Sequence, residues 1–348
     1  MTTSNENKLI APYKVGRNWI FAPSTYLLDS WEPIIEQIYL PEVESKAGEI
    51  GFSFVAEGAT KTKQKSSIKS KLKHLFVEAV KDEVGPENCT LVDLRSHNPE
   101  NLAHAITNHL PVALLARAFL NAANYPEPML VLPKALPDYI KRLFLSIGFQ
   151  LLFTDAVVKG KICEFKLDPW VSIRGVRHKV IQEKLLGSEF AEVIYKKSLL
   201  LPKKIFISRR NTRILSNENE VEQFLRRKGY QKIYLEDYEV LEQIAMVSMA
   251  DSIVAIHGAA LGPLILRVLF DTQPLKLVEL FSPGHMTNVF RMVSQQIGAE
   301  WVGVRGRLWP SIIKQAYICL PENVRKYSLV EFDVCLLSLE KAMESIAL

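Results

Sequence analysis

The 348-residue sequence has no run of about 18 consecutive apolar residues, which a membrane-spanning helix requires. Its first residues, Met1 to Lys8, are polar and lack the apolar stretch of a secretion signal. A cytoplasmic location is therefore expected. Cysteine is scarce: Cys89, Cys163, Cys319 and Cys335 are widely scattered, never in C-x-x-C spacing, and too few for a disulfide framework or a cysteine zinc site. Reduced, structural thiols are expected. No strand-like run is followed by G-x-G-x-x-G with an acidic residue about 20 positions on, which argues against a Rossmann oxidoreductase. There is no D-x-D to hold a divalent ion against a diphosphate and no His/Cys cluster with metal spacing, so no metal site is expected. Charge excess is also small. A formal +5 suits a protein that handles phosphates or visits an anionic surface and gives no special support for nucleic-acid binding.

What is present describes a globular α/β protein. Apolar residues make up 48% of the chain and charged residues 23%, and the length favours two domains, placed at 1–198 and 199–348. Periodicity before residue 89 is weak and leaves that topology open. A basic stretch at 61–73 reads first as a solvated face, with phosphate or membrane-surface contact as the other reading. From Thr90 strands and helices alternate: strand 90–94, helix 100–121 bent at Pro111, strand 129–132, helix 137–147 ended by Gly148, a β-rich stretch 157–167 and a helix 175–195.

The second half alternates more regularly. Strands are expected at 204–208, 232–235, 252–256 and 275–280, and helices at 217–228, 240–249, 260–269 and 286–297, with a last helix at 329–346. Right-handed crossovers would set the strand C-termini along one edge, where ligands bind in such sheets. Polar residues gather there: Ser208, Arg209 and Arg210 after the first strand, Glu236 after the second, His257-Gly258-Ala259-Ala260-Leu261 after the third, Glu279 at the fourth strand end and Asn288 beyond it. Guanidinium groups suit a pyrophosphate, a carboxylate suits a ribose diol, and a glycine before a helix start lets backbone approach a phosphate. These residues form the expected donor site, with Arg209 and Arg210 on the diphosphate and Glu279 on the ribose.

The segments Lys-Ile-Phe-Ile-Ser-Arg-Arg (204–210), Tyr-Leu-Glu-Asp (234–237), Ile-Val-Ala-Ile-His-Gly-Ala-Ala-Leu (253–261) and Val-Glu-Leu-Phe-Ser-Pro (278–283) resemble, in order, the motif series of family 61 glycosyltransferases. Asn101-Leu102-Ala103-His104 with Pro111 following is similar to that family's N-x-x-H helix. The resemblance covers roughly residues 90–345. It implies an inverting, metal-independent enzyme of GT-B fold, with two Rossmann-like domains facing across a cleft, acceptor largely on the first and donor on the second. It implies no cofactor, a nucleotide sugar such as a UDP-sugar as substrate, and a glycan, lipid-linked glycan or protein hydroxyl as acceptor. Peripheral contact with the inner membrane face would fit a surface-polysaccharide pathway. Two positions depart from the pattern: Asn108 stands where the family often has an acidic residue, and His-Gly-Ala-Ala-Leu-Gly-Pro replaces H-G-A-G-L-T-N.

Inverting transfer needs a base for the acceptor hydroxyl. His104 is the first candidate, since imidazole titrates near working pH. Asn101, His104 and Asn108 are spaced as one polar helix stripe, an acceptor-side face. Glu57, Asp93 and His97 are the reserve bases. A non-catalytic sugar- or nucleotide-binding member of the same fold is the alternative.

Overall fold

The computed structural model of the chain describes residues 12–15, 18–21, 52–60, 83–165, 173–282, 287–307 and 329–348. The basic stretch 61–73 and Cys319 lie outside the described residues. The chain divides into two units, one of Glu44–Lys196 with Glu239–Leu241 and one of Lys197–Tyr238 and Glu242–Leu348 with Met1–Val43. Near the N-terminus β1 (Pro12–Val15) pairs antiparallel with β2 (Asn18–Phe21).

The unit around residues 44–196 is built on a six-stranded mixed sheet of β3 (Phe52–Ala59), β4 (Glu83–Val84), β5 (Thr90–Asp93), β6 (Pro128–Leu132), β7 (Gln150–Phe153) and β8 (Val158–Phe165). The order is β3-β8-β5-β6-β7, with β4 beside β8. Only β3 runs antiparallel to its neighbour. Leu91, Val131, Val158 and Ile162 form its buried centre. Arg95 is also buried, held by both carboxylate oxygens of Asp93 at 2.9 and 2.8 Å and donating to the Ala156 carbonyl at 2.5 Å.

The helix expected over 100–121 begins at Leu102, with Asn101 as its N-cap. It widens into a π-turn over Ala105–His109 before α geometry resumes at Leu110–Ala122, and the Leu110 N–H reaches back to the Ala105 carbonyl. Pro111 supplies no N–H to Thr107 four residues earlier, and its ring crowds that carbonyl. The wider turn absorbs both defects. The single helix expected over 175–195 is two, Arg177–Leu185 and Glu189–Ser198. Gly187 between them is left-handed at φ 72°, and the Ser188 hydroxyl caps the second helix by accepting from the Ala191 N–H.

The other unit carries a five-stranded, wholly parallel sheet: β9 (Lys204–Ile207), β10 (Gln231–Ile233), β11 (Ser252–Ile256), β12 (Lys276–Phe281) and β13 (Glu300–Arg305), in the order β10-β9-β11-β12-β13. Helices Glu218–Arg227, Val240–Met249 and Val289–Gln296 connect strands, and Leu336–Ser345 follows the sheet. The last is shorter than 329–346 because residues before it run extended, bridging Phe332 to Leu215. The fold is thus mixed α/β with parallel, Rossmann-like sheets. The core joins strand residues Phe206, Val254, Val278 and Val302 to Val221, Leu225, Leu339 and Met343 of the helices.

Two differences bear on the site. The expected helix 260–269 is a 3-10 segment over Ala259–Leu269 with Pro263 inside it, a residue whose missing N–H prevents a regular α ladder. The fourth strand does not end at Glu279 but continues to Phe281. At the far end of the 3-10 segment, buried Arg267 donates to the carbonyls of Ser248 (3.0 Å), Ala250 (2.6 Å) and Gln273 (2.5 Å). It terminates the helix Val240–Met249, a charge-assisted C-cap where no glycine stands.

Replacing Arg267 with Met leaves those three carbonyls, two of them buried, without this donor. Chemical denaturation is expected to show a loss of about 3 kcal/mol, the scale of hydrogen bonds to a charged group.

Candidate active site

In the parallel sheet the chain reverses its direction of travel between β9 and β11, so the crevice at the carboxyl ends of these two strands is the place where such folds bind ligands. Ser208 and Arg209 leave β9 there, and His257 and Gly258 leave β11. The Arg209 guanidinium donates to the His257 carbonyl at 3.2 Å and to the Thr212 carbonyl and hydroxyl at 3.2 and 3.0 Å. Arg213 donates to the same His257 carbonyl at 3.0 Å. The turn that brings the two together contains two left-handed non-glycine residues, Asn211 (φ 71°) and Arg213 itself (φ 55°). Such backbone costs of order 1–3 kcal/mol per residue and persists only where surroundings enforce it.

Burial lowers the pKa of both arginines, that of Arg213 to about 10, and Arg209 contributes repulsion to Arg213. Two desolvated guanidinium groups converging on one carbonyl concentrate positive charge there. Arg210 is not part of it. That side chain is half-exposed, forks onto Asp237 at 2.5 and 2.8 Å with Glu236 3.8 Å away, and lies over the Tyr234 ring at 3.9 Å. The structure thus brings Arg209 together with Arg213 at the His257 carbonyl and places Arg210 on Asp237. Glu236 lies in a 3-10 turn, Leu235–Asp237, rather than at the end of a strand. Ser208 is buried with its hydroxyl donated to Glu218.

Gly258 has an extended backbone that any residue adopts, so its role is steric. A Cβ there would lie 1.7 Å from Arg209 Nη1 and 2.9 Å from its Cζ. The missing side chain is the space in which the guanidinium rests. Ala259 and Ala260 are half-buried, Leu261 is buried, and half-buried Asn288 occupies the N-cap position of Val289–Gln296 without a side-chain capping bond.

Glu279 lies away from the strand end where the sequence places it. It is fully buried inside β12, where Oε1 meets His257 Nδ1 at 2.5 Å and Oε2 accepts from Trp301 Nε1 at 2.8 Å. A side chain with no exposed surface and both oxygens engaged does not present itself to a ribose diol. It positions His257, whose ring stacks on Phe281 with centroids 5.1 Å apart. Half-buried Trp301 and buried Glu279 and His257 therefore form a chain that ends in the carbonyl held by both arginines.

In the other unit Asn101 Oδ1 accepts from the N–H groups of Ala103 and His104 at 3.0 and 3.3 Å, so its side-chain oxygen serves as helix cap. His104 and Asn108 do come together, with His104 Nδ1 3.2 Å from one end of the Asn108 amide. Thr107 decides the orientation. Its single hydroxyl proton goes to the Ala103 carbonyl at 2.7 Å, so toward the other amide end, 3.4 Å away, it can only accept. The amide therefore turns its NH₂ to Thr107 and its oxygen to His104. Nδ1 then carries the proton, and Nε2 is the nitrogen with the lone pair. Burial, then Arg174 and His97, lower the His104 pKa against an opposing pull from Glu100. A neutral imidazole results.

Among the reserve bases, Asp93 is committed to Arg95, and His97 is a left-handed residue (φ 59°) whose carbonyl pairs with buried His109 at 3.3 Å. Glu57 lies on β3, whose side chains are outside the described residues. Cys89, Cys163 and Cys335 are free and buried. No group of three or more metal-ligating side chains occurs among the described residues, and no helix among them is long and apolar enough to cross a membrane.

The buried pair makes stability depend on pH. Burial raises Glu279 from 4.5 to about 8 and drives His257 well below 6.5. Folded, the pair keeps one titratable proton until pH reaches about 8; unfolded, it loses that proton near 6.5. Between these values the folded state binds more protons, so stability falls as pH rises, by about 1.4 kcal/mol per pH unit. Between 4.5 and 6.5 both states hold one proton and the pair contributes no slope. Urea denaturation from pH 6.5 to 8 should show this decline, and Glu279→Gln should remove it.

No curated protein matches the sequence. Residues 102–267 match the family model described as Glycosyltransferase 61. The matched span takes in His104, Asn108, Arg209, Arg213 and His257 and ends at Arg267. By this match, which spans a little under half of the chain, the protein is a glycosyltransferase enzyme similar over residues 102–267 to family 61.

Proposed function

We propose that the enzyme transfers a sugar, with inversion and without a metal ion, from a nucleoside diphosphate donor to a hydroxyl of a glycan. The observation that carries this reading is the convergence of Arg209 and Arg213 on the His257 carbonyl at the sheet's switch point. Paired guanidinium groups there offer N–H donors and two positive charges to a diphosphate. Ligand oxygens would relieve the repulsion between them. In this scheme a UDP-sugar is the donor, and the two α/β units are the halves of a GT-B enzyme. The acceptor is a surface-glycan or lipid-linked precursor on the cytoplasmic side of a membrane.

The chemistry balances on the chain's own groups. An acceptor oxygen forms a bond to the anomeric carbon as the bond from that carbon to the phosphate oxygen breaks. The acceptor proton passes to His104 Nε2, and the leaving diphosphate keeps the bonding electrons and takes its negative charge to Arg209 and Arg213. Asn108 holds the Nδ1 proton and fixes the ring, but as a neutral amide it gives the imidazolium no counter-charge.

Two measurements test this. By calorimetry, Arg209→Ala and Arg213→Ala should each weaken nucleoside diphosphate binding at least ~10-fold, matching about 1.5–3 kcal/mol for a charge-assisted bond, while Arg210→Ala stays near the parent. Loss in Arg210→Ala with Arg213→Ala unaffected would overturn the pairing.

For the base, His104→Ala should keep donor affinity while turnover falls ~10²–10⁴-fold. Asn108→Asp places a carboxylate against Nδ1, which favours the imidazolium and raises the histidine's pKa. The acidic limb of its pH–rate profile should move to higher pH. Near-normal turnover in His104→Ala removes this residue from the mechanism.

A further inference from the structure

Between the helix Glu189–Ser198 and β9 the chain reads Lys196-Lys197-Ser198-Leu199-Leu200-Leu201-Pro202-Lys203-Lys204, three leucines bracketed by two lysine pairs with no acidic residue among the nine. Leu200 is 94% exposed and Leu199 62%. Tyr195, 51% exposed, precedes Leu199 by four residues, the spacing of one helix face. Isolated exposed leucines are ordinary, but adjacent ones at a turn inside a basic bracket are not.

Lys196 and Lys204 retain most of their charge for a partner. Lys196 has a wide contact to Glu192 at 3.9 Å, worth little at a wetted surface, and Lys197 stands 3.8 Å from Glu242. Lys203 donates to the Met249 carbonyl at 3.1 Å, and Lys204 forms no ion pair among the described residues.

We propose that this turn is an interfacial anchor for an anionic lipid bilayer. Leu199 and Leu200, with Tyr195 beside them, enter the boundary between headgroups and acyl chains, and the lysine ammonium groups stay among the lipid phosphates on their flexible stems. Charge complementarity selects this occupant. A second copy docked by two-fold symmetry would set four lysines against four. A protein partner fits less well, because the leucines project from a turn instead of lining a groove, and leucine is under-represented among the residues that dominate protein interfaces.

The test is sedimentation of the full-length protein with phosphatidylcholine vesicles, with and without phosphatidylserine. Partition onto phosphatidylserine vesicles should be strong at low salt, weaken at high salt, and be slight on phosphatidylcholine alone. Leu199→Ser with Leu200→Ser should lower the partition coefficient at least tenfold with an unchanged unfolding midpoint. Lys196→Gln with Lys204→Gln should lower it by about fivefold per lysine removed. No binding by the parent protein overturns the proposal, as does binding unaltered in the leucine variant, which would place contact elsewhere, such as at 61–73. A concentration-dependent dimer that the leucine variant abolishes would make the turn a subunit contact instead. Vesicle binding is read without substrate, so the outcome is independent of the donor and base assignments.

Discussion

A carboxyl group buried under a histidine governs the geometry of the sheet edge. Glu279 lies in the middle strands of a parallel sheet, where no water reaches it, and its two oxygens are occupied by His257 and Trp301. Burial costs this carboxyl its charge at neutral pH. What it provides in exchange is a fixed ring orientation for His257, reinforced by Phe281 and Phe290. The backbone carbonyl of that histidine is thereby aimed at Arg209 and Arg213. A buried polar network of this kind is favourable only when each member is satisfied. Trp301 is thus as much a part of the arrangement as the residues that face a ligand.

Much of the architecture could be read from hydrophobic pattern. The strands at 204 and 252 and the helix Val240–Met249 fall where periodicity places them, because each short apolar run sits between clear turn residues. The break at Gly187 carries a readable signal, a glycine followed by a capping serine, that continuous helical periodicity on either side conceals. β13 is harder. Gly303 stands in the middle of that strand because Trp301 and Phe281 fill the space a Cβ would occupy, 2.9 and 3.1 Å away. A mid-strand glycine lowers β propensity without revealing which ring displaces it.

At the site, residue types were legible and partnerships were not. His257, Gly258 and Arg209 are identified by their position after strands, whereas the choice of Arg213 over Arg210 depends on two left-handed residues that carry no glycine to announce them. Glu279 looked like a ligand because a carboxylate near a strand end usually faces solvent. Two further residues of β12 and the Trp301 indole reverse that conclusion. The π-turn is a similar case: Pro111 predicts a disturbance, but only the backbone shows it being spread over Ala105–His109, between the histidine and the proline.

The empty volume at Gly258 has a consequence for how this sequence can change over time. Position 258 and position 209 compete for the same few cubic ångströms, since any β-carbon on one coincides with the guanidinium of the other. Substitutions at the two sites are therefore coupled: a side chain at 258 pushes the guanidinium aside, and a displaced or shortened 209 surrenders its hold on the His257 carbonyl. No single step leads out of the pair without loss, so descendants of this chain that keep the arginine inherit the glycine with it.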